Sequence, residues 1–140
     1  MRVVVDTNVF VSACLGEGAP AQVVRHCIEG LASPVMGAAL YAEYEDVLSR
    51  QALFGRSRLD ADERQELLDI FLARCSWIRV YFGWRPNLAD EADNHLVELA
   101  VAAQASHCVT GNARHLKTGE LQFPSIRILD PATFLSEWKP

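Results

Sequence analysis

Four side chains in this sequence have the right types to gather on one hard cation: Asp6, Glu43, Asp93 and Asn112. Three are carboxylates; the fourth is an amide whose carbonyl can coordinate a cation but brings no charge. Two carboxylates about 4 Å apart repel by roughly 4 kcal/mol at an effective dielectric near 20, so a cluster needs shared protons or a cation. Oxygen-only ligands select Mg²⁺ or Mn²⁺ over zinc. Neither Cys75 nor the His107-Cys108 pair has zinc-ligand spacing, which excludes a zinc site.

The elements that must position these groups read as alternating strands and helices. Residues 2–5 are a nearly continuous β-branched run, as expected of a central parallel strand buried on both faces. Asp6-Thr7-Asn8 stops that run, and a loop through 16–20 leads into a helix over 21–29. A short strand at 34–36 precedes a helix over 38–51, and a capping signal at 60–63 opens a helix to about residue 73. An alternating strand spans 77–82, and a helix starting at 90–93 runs to about 105. Strands follow at 107–110 and 126–129, and Asp130-Pro131 opens a short terminal helix. This order implies an α/β fold with a central parallel sheet and right-handed crossovers. In such open sheets function gathers beyond the carboxyl ends of the strands, near a switch in strand order.

Each candidate has a plain reading beside the functional one. Asp6 ends the opening strand, at the lip of that crevice, where an Asp can equally make a turn bond with its own backbone. On the 38–51 helix, Leu40, Tyr44, Val47 and Leu48 mark the buried stripe, with Glu43 at its border and Asp46 almost opposite. A border glutamate can also lay its stem on apolar surface and keep its head wet. Asp93 flanks the stripe of Leu96, Leu99, Ala100 and Ala103, while Asn94 and Glu98 point to solvent. The helix dipole alone favours an Asp in a first turn, and Asp90 reads as an N-cap. Asn112 follows Thr110-Gly111 at a second strand end, where a turn asparagine is equally ordinary.

At 140 residues the chain is the size of one domain, with 50% apolar and 22% charged residues, which excludes disorder. Thirteen basic against 18 acidic side chains leave a net charge of −5. That balance argues against coating nucleic acid by charge, but not against an enzyme whose carboxylates bind a cation. No apolar run reaches a membrane span and no leader pattern opens the chain, so the expectation is a soluble, cytoplasmic domain with no membrane partner. Cys14, Cys27, Cys75 and Cys108 are scattered and read as buried thiols, not as a disulfide framework.

The segments Val3-Val4-Val5-Asp6-Thr7-Asn8-Val9, Glu43-Tyr44-Glu45-Asp46-Val47-Leu48, Asp90-Glu91-Ala92-Asp93-Asn94-His95-Leu96, Val109-Thr110-Gly111-Asn112 and Ile126-Arg127-Ile128-Leu129-Asp130-Pro131 together resemble the PIN-domain nucleases. The likeness is to the single-domain bacterial VapC-type ribonuclease toxins, and it extends in order over nearly the whole chain. It implies one PIN-like domain over 1–140, a Rossmann-like α/β/α sandwich, and a metal-dependent endoribonuclease of a type II toxin–antitoxin system. It carries the family's acids onto Asp6, Glu43 and Asp93, as ligands of Mg²⁺ or Mn²⁺. The usual fourth acid falls on Asn112, which puts a second metal in doubt. The implied reaction is phosphodiester hydrolysis, with Asn112 positioning water or the second ion and Asn8 and Thr110 tying the site together. An RNA substrate, a small antitoxin protein and a homodimer are the partners implied.

Basic residues flank these positions: Arg50, Arg56 and Arg58 between two helices, and Arg114, His115 and Lys117 after Asn112. Arg114 and Arg50 are the candidates to meet a phosphate backbone, though ordinary solvated charge explains the rest. In the 77–82 strand, Trp77, Arg79 and Tyr81 share a face that could stack on bases or pack under a helix. None of His26, His95, His107 and His115 stands out as a general base. A haloacid-dehalogenase-type phosphatase would need a second Asp where Asn8 stands, and a response-regulator receiver would need a phosphoacceptor Asp on an internal strand. A PIN-fold module that binds RNA or protein without cutting is the remaining alternative.

Overall fold

The structure is a computed structural model that describes residues 1–57, 59–80, 94–113 and 123–137. Arg58, Tyr81, Phe82, Asp90, Asp93, Arg114, His115 and Lys117, and the expected helix start at 90–93, lie outside the described residues.

Among the described residues five strands form one sheet: β1 (Arg2–Val5), β2 (Ser33–Met36), β3 (Ser76–Trp77), β4 (His107–Val109) and β5 (Arg127–Leu129). Their order is β3-β2-β1-β4-β5 and every pairing is parallel, the α/β architecture expected. The chain runs outward from β1 to β3 in one direction, then returns to β4 on β1's other side. The switch in strand order therefore falls between β1 and β4. Val3, Val4 and Val5 are 1% exposed or less. Successive side chains of a strand point to opposite faces, so such complete burial requires cover on both.

Helices supply that cover. They are α1 (Thr7–Leu15), α2 (Ala19–Ile28), α3 (Ala38–Leu48), α4 (Ala61–Arg74), α5 (Asn94–Ala103) and α6 (Pro131–Glu137), with a 3₁₀ turn at Gln51–Phe54. α5 packs on β1, β2 and β4 and touches α3, whereas α2 packs on α1, α4 and α6. Phe10, Tyr44 and Phe71 from α1, α3 and α4 form an aromatic cluster with ring centroids 5.5–6.1 Å apart. Tyr44 also donates its hydroxyl to the Val5 carbonyl oxygen at 2.7 Å. Burial above all keeps that phenol protonated, hence a donor.

Several boundaries differ from the sequence reading for identifiable reasons. Helix α1 was not expected, because the polar Asp6-Thr7-Asn8 triplet reads as a stop. It is also a start: Asp6 caps α1, its Oδ1 accepting from the Thr7 backbone N–H at 2.7 Å. Helix α2 begins at Ala19, inside the expected loop. Gly18 precedes it at φ 134°, a conformation that favours glycine, and Pro20 sits in the first turn, where no helical N–H bond is forfeited. Helix α3 stops at Leu48, short of 51, and gives way to the 3₁₀ turn. The capping box at α4 is complete, Asp60 and Glu63 each accepting from the other's backbone N–H. Strand β3 covers only Ser76–Trp77, although the Ile78 N–H still donates to Met36 at 2.8 Å. Trp77 is 54% exposed, so it is not covered by a helix, although its ring meets Tyr41 of α3 edge-on.

All four cysteines are free. Burial pushes Cys27 and Cys75 up to about 12, leaving both as unreactive thiols. Among the described residues no helix is long and apolar enough to cross a membrane.

Candidate functional site

Backbone register brings the carboxyl ends of β1 and β4 side by side. Val5 pairs with Val109, the Asp6 N–H donates to the Val109 carbonyl at 2.9 Å, and the Thr110 N–H donates to Leu129. Asp6 and Thr110 therefore emerge together at the switch in strand order. Asp6 is 5% exposed and Thr110 fully buried. The Thr110 hydroxyl donates to Asp6 Oδ2 at 2.6 Å, complementing the Thr7 N–H on Oδ1. Asn112 donates its N–H back to Thr110 Oγ1 at 3.1 Å, and Asn8 Oδ1 accepts from the Gly111 N–H at 3.0 Å. The two strand-end loops are thus laced together by short polar side chains.

Helix α3 brings in Glu43, half-exposed at the edge of the same space. A cavity of about 360 Å³ is lined by Asp6, Thr7, Asn8, Val11, Ser12, Glu43, Val47, Leu53 and Asn112. Four of the candidates, Asp6, Asn8, Glu43 and Asn112, thus face one concavity. The Thr7 hydroxyl oxygen in its wall is buried without a hydrogen-bond partner of ordinary geometry. It still lies close enough to help hold Glu43 charged. The hydrogen bond from His95 is the main influence lowering the Glu43 pKa; burial opposes it, and Thr7 and the charges of His95 and Arg50 assist.

His95 is the group that sequence reasoning missed. Its Nε2 lies 2.8 Å from Glu43 Oε2, joining α5 to α3 across 52 positions, a contact that the search for a general base did not anticipate. Glu98, expected to point to solvent, is 6% exposed. The reason is common to both: α5 packs on the sheet and on α3, so its buried surface is wider than one stripe. The Leu96, Leu99, Ala100 and Ala103 stripe is itself buried as expected. No local pattern marks His95, because its partner comes from another helix.

A larger cavity, about 520 Å³, is lined by 37–40, 77–80, His95, Glu98 and Leu99, mostly apolar groups. His95 lines it and Glu43 lines the smaller one, so their hydrogen bond bridges the two. The candidate carboxylates Asp6 and Glu43 belong to the smaller. Arg50 is exposed and paired with Asp46 at 2.6 Å. Among the described residues no three His, Cys, Asp or Glu side chains gather as a metal-binding group. Asp93, the third expected acid, and Arg114 lie outside those residues.

Comparison with solved structures finds a similar fold in the VapBC2 from Rickettsia felis, solved bound to a DNA fragment from their promoter. The TM-score is 0.58 at 18% sequence identity, covering 91% of this chain and 97% of that one. At that identity the likeness speaks for the fold. No curated protein matches the sequence. The sequence pattern described as PIN domain matches residues 2–114, most of the chain and every strand end described above except that of β5. With its parallel sheet and polar crevice between β1 and β4, this chain belongs to the PIN domain family.

Proposed function

We propose that this chain is a divalent-metal-dependent endoribonuclease acting in the cytoplasm as the toxin of a type II toxin–antitoxin pair. The observation that carries the reading is the convergence of Asp6, Thr7, Glu43 and Asn112 on one cavity at the strand-order switch. Their donors are all oxygens, and one of them, Thr7 Oγ1, is buried with no hydrogen-bond partner of ordinary geometry. Such a set fits a hard cation and not zinc. Asp6 and Glu43, with Asp93, would hold Mg²⁺ or Mn²⁺. When bound, the ion supplies Lewis acidity that lowers the pKa of water and offsets charge building on the phosphate.

The chain's own residues do the positioning. Thr7 N–H and the Thr110 hydroxyl fix the two oxygens of Asp6, so its carboxylate is oriented before any ligand arrives. Asn8 and Thr110 lock the two loops, and Asn112 orients water through a neutral amide, which favours one ion over two. Arg114 meets the RNA backbone, with Arg50 able to join once its pair with Asp46 opens. Family membership supports nuclease chemistry, and the VapBC2 likeness supports a small antitoxin partner. A homodimer belongs to the same reading.

Cleavage of single-stranded RNA in Mg²⁺ or Mn²⁺ tests it, comparing the wild type with Asp6→Asn and Asp93→Asn. Both variants should lose metal-dependent cleavage and the growth arrest caused by expression alone. Equal cleavage by all three proteins would overturn the assignment.

A further inference from the structure

Helix α3 carries Glu43 to the cavity, but a residue of another helix holds its carboxylate. Its side chain is 38% exposed, yet one oxygen, Oε2, is held at 2.8 Å by a ring that is only 21% exposed. The carboxylate can only accept, so His95 Nε2 carries the proton and donates. That fixes the carboxylate at one of its two oxygens. Among the described residues His95 Nδ1 is buried with no hydrogen-bond partner, so the ring's one hydrogen bond there is to Glu43. The geometry resembles an outer-shell arrangement in which a neighbour turns a ligating carboxylate toward its ion.

We infer that His95 is a positioning residue, aiming the Glu43 carboxylate into the cavity it shares with Asp6 and spanning α3 and α5 to do so. The inference rests on the metal-site reading above. A partly exposed pair adds little to folding, so the loss of His95 should register in ligand affinity and not in the melt. Glutamine places an amide Nε2 near the position of the imidazole Nε2 and serves as the conservative replacement.

The test is Mn²⁺ binding to the full chain by calorimetry, with thermal melts without metal, for wild type, Asp6→Asn, His95→Ala and His95→Gln. His95→Ala should bind Mn²⁺ about 10- to 100-fold more weakly with an unchanged melt, and His95→Gln should recover most of that loss. Wild-type affinity in His95→Ala, beside a weakened Asp6→Asn, would overturn the inference alone. So would a His95→Gln protein that melts normally yet binds as weakly as His95→Ala. Equal Mn²⁺ binding by wild type and Asp6→Asn would instead overturn the metal-site reading on which it stands.

Discussion

Asp6 sits at 5% exposure with each carboxylate oxygen accepting a hydrogen bond, one from the next residue's backbone and one from the neighbouring strand end. Glu43 faces the same cavity from a helix, half-exposed, tethered through one oxygen to a histidine 52 positions away. The first acid is held by the sheet itself, because the β1–β4 register that forms the core also brings Thr110 to it. The second is held by helix packing, which can relax without loss of the sheet. Substitutions should therefore act unequally on the two corners.

The largest expected effect separates them directly. Asp6→Asn should reduce metal-dependent RNA cleavage more than Glu43→Gln does, and both should exceed the about 10- to 100-fold that outer-shell partners contribute. Initial rates at saturating Mn²⁺ measure both, and equal losses would erase the contrast. Next, Thr110→Val removes a buried donor from Asp6 while keeping shape. It should destabilise the chain by about 1–3 kcal/mol in urea unfolding. A neutral result would mean that Asp6 is not held by the sheet in the way described.

A smaller effect is expected at the opposite end of β4. Burial first, then the charge of Arg127, lowers the His107 pKa from its ordinary 6.5, with Glu137 opposing. The unfolded chain then takes up a proton more readily than the folded one. Stability should fall as pH drops through the window just below 6.5, and His107→Asn should flatten that slope without changing Mn²⁺ affinity. Urea midpoints at two pH values check it. Smallest of all, Arg50→Ala breaks a pair whose side chains are 59% and 63% exposed. It should shift stability by less than about 0.5 kcal/mol, and any effect on cleavage should appear in KM.

The same division explains what could be read from the sequence. The Val3–Val5 run and the recurring helix patterns are local signals of burial, and they lead to the parallel sheet and to both strand ends. Asp6 and Asn112 are legible because a polar residue ending an apolar strand is visible in the string itself. Helix α1 is not, since Asp6 serves two elements at once and a triplet scan assigns it to one. His95 and Glu98 depend on what α5 packs against, and no periodicity within α5 records that. Glu43 lies between: its border position is readable, its tether is not.

The hydroxyl of Tyr44 on the Val5 carbonyl has a mechanical consequence. Val5 is covalently next to Asp6 and Tyr44 next to Glu43, so a single 2.7 Å contact couples the two peptide units that bear the acids. Sliding of α3 along its axis would tug the end of the first strand with it. That contact ties α3 to the end of β1, and Tyr44→Phe would remove the tie while leaving both carboxylates chemically intact.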